Sequence, residues 1–414
     1  MINRIAAWFS TLCLCVVSSF GMASENTLPN HAVILQYHHV SSKTPRSTSI
    51  SVERFAQHME YLASNDYQIK SLDEVITALR SKQPNKQMLP DKTVVITFDD
   101  AYQSMYKNAY PLLKEKGWPF TVFVNSTQTH RNRRIYLGWE RLKEMAQNGA
   151  TIANHTPDHG HMLRKRTVDG QLETKEQWLG RIEQEVTAMQ AEIIEHTGTD
   201  ARYFAYPYGE ANTDIRNLIT KLGFVGLGQH SGPIGEYSDF SFLPRFPMSG
   251  VYSSLKPMRT KLQTLPFPIS EQYLHEPIVA HAELQPQLTL KLDKGHYRLG
   301  ELACYASEHG RITAKVSKPT VPSPTLENGA ADLMSGGEHT TSKATNSVGE
   351  SVGTSVNSSA QKTPFRLVEV RSDKPIITGR SRYNCTAPHV TERRYYWFSA
   401  FWYRMAKGEQ WIKE

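Results

Sequence analysis

From about residue 31 to 248 the chain alternates between two hydrophobic rhythms. Short apolar runs of strand length are separated by stretches in which apolar residues return every third or fourth position, the spacing of a helix with one buried face. Residues 32–37 read as the first strand, and Phe55, Met59 and Leu62 mark the helix after it. Ser71 and Glu74 have capping-box spacing ahead of a stripe of Leu72, Val75, Ile76 and Leu79. Residues 93–98, 120–124, 151–154, 203–206 and 224–227 read as further strands, with 242–246 as a seventh. Helices are expected through Tyr106, Ala109 and Leu113, through Leu142 and Met145, from Trp178 to Ile193, and through Ile215, Leu218, Ile219 and Leu222. Gly149, Gly198 and Gly223 stand where such helices stop. Repeated strand–helix units predict a parallel sheet, open or closed, with functional loops at its C-terminal strand ends.

After about residue 265 the rhythm changes. Residues 288–292, 297–299 and 311–316 alternate as exposed antiparallel strands do, and 395–403 is densely aromatic. Those rings read as core rather than as a sugar-stacking platform. Residues 31–265 are therefore expected to form an α/β domain, and 276–414 a small β-sandwich-like one. Within the second, 318–363 is rich in Ser, Thr, Gly, Pro and Asn, and reads as a disordered insertion.

Composition adds three things. Arg4, an apolar stretch through Val17 and the small residues around Ala23 make 1–23 a signal peptide, so the mature chain is expected outside the cytoplasm, periplasmic or secreted, without a membrane span. Cys304 and Cys385 then remain, and an even pair in an oxidising compartment reads as a disulfide. The net charge of +7 reads as a solvated face, because no recognition helix, zinc-finger spacing or aromatic–basic interleaving points to nucleic acid.

The chemistry gathers where strands end. Asp99 and Asp100 follow residues 93–98, and His155 and His159 follow residues 151–154. One Asp and two His can hold a divalent ion while leaving positions open for water and substrate. Pro157 disfavours a helix there, so a turn is expected to carry the two histidines. Because neighbouring strand residues face opposite sides, a local turn must also bring both carboxylates round.

Thr97-Phe98-Asp99-Asp100, His155-Thr156-Pro157-Asp158-His159 and Tyr206-Pro207-Tyr208-Gly209 resemble, in order and spacing, the motifs of the NodB-homology polysaccharide deacetylases, carbohydrate esterase family 4. The resemblance covers roughly 31–250. It is strongest to the branch containing the periplasmic deacetylase of bacterial poly-N-acetylglucosamine systems. It implies a distorted (β/α) barrel and a metal-dependent N-deacetylase acting on an acetylated polysaccharide. It also assigns Asp99 as base and Asp100, His155 and His159 as metal ligands, with the backbone N–H of Tyr208 in the oxyanion hole. Zinc suits those ligands, with cobalt, nickel or iron compatible. His230 lies near the family's catalytic histidine, although the usual Leu-x-His spacing is not kept. His38 and His39 end the first strand as supporting groups. Where many members carry an arginine against the base, this chain has Ala205; Arg245 is the candidate substitute, the alternative being an ordinary surface arginine. An O-acetyl esterase and a non-catalytic envelope carbohydrate-binding protein are the other functional readings.

Overall fold

The computed structural model describes residues 28–83, 88–273, 276–320 and 364–405. The expected signal peptide, and the expected insertion from 321 onward, lie outside the described residues.

Six of the expected strands form one sheet. In spatial order they are Val225–Leu227, Tyr203–Ala205, Ala150–Asn154, Phe120–Val124, Thr93–Asp99 and His31–Tyr37, every neighbouring pair parallel. His31–Tyr37 and Thr93–Asp99 are buried at every position, as strands covered on both faces must be. The flanking helices have local reasons to start and stop. Ser71 and Glu74 cap Leu72–Arg80 reciprocally, and Thr174 and Gln177 do the same for Lys175–Thr197. Gly198 ends the latter at φ 74°. The helix expected through Tyr106, Ala109 and Leu113 is instead two, Gln103–Asn108 and Tyr110–Glu115. Pro111, without an N–H to donate, starts the second rather than continuing the first.

The outer strands are joined by residues 243–247. Leu243 bridges Leu227 on one side, and Phe246–Pro247 pairs in parallel with Leu35 and Gln36 on the other. The Leu243 N–H donates to the Gly226 carbonyl and the Gly228 N–H donates to the Leu243 carbonyl, both at 2.8 Å. The expected seventh strand is thus a seam that curls the sheet into a distorted barrel. Arg245 sits in the middle of that seam.

A second sheet follows, ordered Thr264–Pro266, Tyr395–Arg404, Arg380–Pro388, Ala303–Ala306, Gly310–Val316, Phe365–Arg371, Gln287–Asp293 and Ile269–Tyr273. Gly310–Val316 pairs first with Ala303–Ala306 and then with Phe365–Arg371, carrying the sheet over onto itself. Leu288, Leu290, Val368, Val370, Tyr383 and Trp402 share the resulting core. Residues 297–299 are not a strand: Tyr297 makes a single bridge to His389, and Leu299–Glu301 is one 3-10 turn. Cys304 and Cys385 stand opposite each other and form the expected disulfide. Tyr396, Phe401, Trp402 and Tyr403 are 2–3% exposed, whereas Trp397 and Phe398 are half-buried and Tyr395 is exposed, so the aromatic run is core only in part. Phe401 and Tyr403 share a cluster with Phe204, Tyr206 and Phe242 of the barrel, so apolar burial joins the two units. Among the described residues, no helix is long and apolar enough to cross a membrane.

Inside the barrel wall, His58 is fully buried beside the Tyr37 hydroxyl, 3.0 Å from its Nδ1. Burial pushes its pKa down to about 4. The folded protein therefore binds that proton less readily than the unfolded chain, whose histidine titrates near ~6.5. Stability from this group is complete above about pH 6.5 and falls away as pH drops through about 4, by up to about 3 kcal/mol. Urea midpoints measured between about pH 7 and about pH 4 should fall steeply for the native chain and less steeply for His58→Asn.

Candidate active site

The C-terminal ends of the parallel strands carry the polar residues. Asp99 is the last residue of its strand, and Asp100 and Ala101 then turn the chain with φ of 68° and 51°. That left-handed turn brings adjacent carboxylates to one side, which the strand pleat alone would forbid. A second turn follows Ala150–Asn154. The Thr156 N–H donates to Asn154 Oδ1 and the His159 N–H donates to Thr156 Oγ1, each at 3.1 Å, with φ of 61° at Thr156 and 54° at His159.

Asp100, His155 and His159 converge. Asp100 Oδ1 lies 3.6 Å from His155 Nε2 and 3.5 Å from His159 Nε2, and the three ligand atoms fall within 4.8 Å of one another. His155 Nδ1 donates to the Ala205 carbonyl at 2.6 Å, which leaves the lone pair on Nε2. Nε2 is buried and has no protein hydrogen-bond partner. Burial and the neighbouring His159 lower the His155 pKa to about 4, so the ring is neutral near pH 7. An unprotonated, orphaned Nε2 facing a carboxylate and a second imidazole is what a divalent metal requires. The donor set fits such an ion.

Asp99 has different partners. Arg245 grips it in two bonds, Nη1 to Oδ1 at 2.7 Å and Nη2 to Oδ2 at 2.9 Å, and Gln36 Nε2 donates to Oδ2 at 2.6 Å. Arg245 is not at the surface: it is 0% exposed, its Nε donating to the Gly228 carbonyl at 2.9 Å. Burial alone would raise the Asp99 pKa, but the guanidinium, with His38 and His155, outweighs it and holds the carboxyl well below the usual range. His38 Nε2 lies 3.8 Å from Asp99 Oδ2 and its side chain is 15% exposed.

Tyr208 stands on the loop after Tyr203–Ala205, at φ 56° and ψ 6°. Its ring stacks on His161 at 4.1 Å and meets His159 edge-on at 4.5 Å. His161 in turn bonds Glu210, Nδ1 to Oε1 at 2.7 Å. His39 stacks on Tyr102 at 3.5 Å, and Tyr102 meets Tyr136 at 5.0 Å. His230 lies next to the seam, its carbonyl accepting from the Arg245 N–H at 2.8 Å. Its ring stacks on Phe242 at 4.6 Å and contacts Phe401, lining a cavity of about 610 Å³ shared with the second sheet.

The structure thus gathers Asp99, Asp100, His155, His159, Tyr208 and Arg245, and sets His230 against the second sheet. Gln36, Asn125, Tyr102 and Glu210 were not anticipated. Asn125 Nδ2 donates to Asp100 Oδ1 at 3.1 Å. Gln36 could have been found as the polar residue within an apolar strand, and Asn125 as a polar residue where a strand stops.

Residues 86–227 match the family model described as Polysaccharide deacetylase. The barrel is a NodB-type polysaccharide deacetylase domain. YxkH of Bacillus subtilis is 38% identical over 133 residues, 32% of this chain and 44% of that protein, so this chain spans less than half of that relative's length. A poly-beta-1,6-N-acetyl-D-glucosamine N-deacetylase of Staphylococcus aureus is 26% identical over 239 residues, 53% of this chain and 79% of that protein. Among solved structures, a de-N-acetylase from Aggregatibacter actinomycetemcomitans superposes with a TM-score of 0.50 at 21% identity, over 56% of this chain and 99% of that one, a likeness of fold.

Two outcomes check the assembled geometry of the deacetylase domain. The native protein should bind one divalent ion per chain by calorimetry, and His155→Ala should weaken that binding by at least ~100-fold. Arg245→Ala should cost about 3–5 kcal/mol in chemical denaturation by leaving Asp99 buried and unpaired; adding Asp99→Asn should restore part of the loss.

Proposed function

We propose that this protein is a metal-dependent hydrolase that removes N-acetyl groups from an N-acetylhexosamine polymer of the N-acetylglucosamine type, outside the cytoplasm. The observation that carries the reading is the division between two adjacent carboxylates. Asp100 joins His155 and His159 as a ligand set, while Asp99 stays off that set, buried and paired with Arg245. A bound divalent ion, zinc by its ligand set, would supply Lewis acidity and a water acidic enough to be a nucleophile near neutral pH. Hydrolysis exchanges an amide C–N bond for a C–O bond, giving acetate and a free amine. Asp99 is aligned to accept the proton of the attacking water, its position fixed by Arg245 and Gln36. The Tyr208 N–H is the donor for the oxyanion that develops on the acetyl carbonyl. The leaving nitrogen needs a proton, and an imidazole can give it. His38, with Nε2 3.8 Å from Asp99 Oδ2, is the donor put forward for that step, and His230, whose carbonyl accepts from Arg245, is the alternative.

Substrate chemistry follows from the kinship with poly-N-acetylglucosamine deacetylases such as the staphylococcal one. The signal-like start of the chain is consistent with export. The assembled Asp100, His155 and His159 set counts against a protein that only binds carbohydrate, which has no need of it.

Acetate release from β-1,6-linked N-acetylglucosamine oligomers in the presence of zinc should be readily detected. Asp99→Asn should lower kcat by ~10²-fold or more, and His38→Ala by a similar factor, with a smaller effect from His230→Ala. Release from acetylated xylan alone would favour the O-acetyl esterase, and release from neither would overturn the reading.

A further inference from the structure

The loop that carries Tyr208 is held from outside the barrel. Arg380 and Tyr403 are cross-strand partners at one end of the Arg380–Pro388 and Tyr395–Arg404 pair. Arg380 Nη1 donates to the Tyr208 carbonyl at 2.7 Å. The Tyr403 hydroxyl donates to the next carbonyl, that of Gly209. One register pair of the second sheet thus grips two consecutive peptide groups of the deacetylase domain. The guanidinium is itself fixed, lying 4.2 Å over the Phe401 ring and 5.8 Å from that of Tyr403. Tyr403 is buried in the cluster that includes Phe204 and Tyr206, so its hydroxyl cannot swing away without opening that apolar contact.

The grip falls where the loop most needs it. Tyr208 is a bulky residue in the left-handed region, a conformation that costs on the order of 1–3 kcal/mol unless its surroundings impose it. On the barrel side, Pro207 fixes the preceding φ, and the ring of Tyr208 lies on His161, itself held by Glu210. On the other side, Arg380 and Tyr403 fix the carbonyls that follow. Gly209 cannot be replaced as a hinge, since a Cβ there would come within 2.8 Å of Gln229. The Tyr208 N–H therefore has its direction set by contacts on both flanks, one of them supplied by a separate sheet.

We propose that the second sheet completes the catalytic site, with Arg380 and Tyr403 as positioning residues that fix the Tyr208 N–H for the developing oxyanion. This rests on the deacetylase reading above. An oxyanion donor acts in the transition state more than on bound substrate, so its misplacement lowers kcat and leaves KM nearly unchanged. A contact that merely stabilises the fold would lower the melting temperature and leave the kcat of the folded enzyme intact.

The test uses the full chain, with acetate release as one readout and hydrogen exchange of the 203–212 segment as the other. Arg380→Ala should lower kcat about 10–100-fold with KM within about twofold, and speed exchange across 203–212. Arg380→Lys, which keeps a donor and the charge, should recover part of both. Tyr403→Phe removes one hydroxyl without emptying the core, and should lower kcat in the same direction even if Arg380→Ala folds poorly. Native kcat and native exchange in folded Arg380→Ala and Tyr403→Phe would overturn the proposal. A native enzyme that releases no acetate would instead overturn the deacetylase reading, and exchange would still report whether the sheet holds the loop.

Discussion

The structure depends on one ion pair. Asp99 and Arg245 are both 0% exposed, and taking two such charges out of water costs several kcal/mol each unless the geometry is excellent. Two parallel bonds, a third from Gln36, and the Gly228 carbonyl on Arg245 Nε meet that condition. Arg245 belongs to the segment that bridges Leu227 to Leu35, so the contact that keeps the carboxylate ionised also lies on the barrel's seam. Closure of the sheet and electrostatic preparation of Asp99 are one event.

Around that pair the backbone is unusual. Asp100, Ala101, Thr156, His159 and Tyr208 all have positive φ without being glycine. Each such residue is held against its preference, and they gather at the site, where a ligand or donor has to point in a direction that regular strand geometry does not offer. Local hydrogen bonds from Asn154 and Thr156, and stacking of Tyr208 on His161, show what holds them there.

Much of this was legible before the fold was known, because it is local. Apolar runs give strands, Ser71 with Glu74 gives a cap, and the spacing of Asp99, Asp100, His155 and His159 gives a ligand set. What was not legible depends on distant partners. Arg245 could be read either as the arginine against Asp99 or as an ordinary surface residue, since its carboxylate lies 146 residues earlier. The direction in which His230 faces is decided by Phe242 and Phe401, and the latter belongs to the second sheet. Arg380 reaches across 172 residues to a carbonyl, and no pattern around it announces such a bond. The apolar stripe through Tyr106, Ala109 and Leu113 gives no sign of the break at Pro111, because it continues through two helices instead of one.

The seam also sets an order of events in time. Asp99 and Arg245 lie 146 residues apart, so the carboxylate gains its guanidinium only when the seam is in place. An unpartnered carboxylate resists dehydration, so the incomplete sheet is kept from sealing around it. The last loop to close spans nearly the whole barrel, and such long-range closures are slow. The pair that prepares Asp99 is therefore also a pair that forms only through a contact across 146 residues.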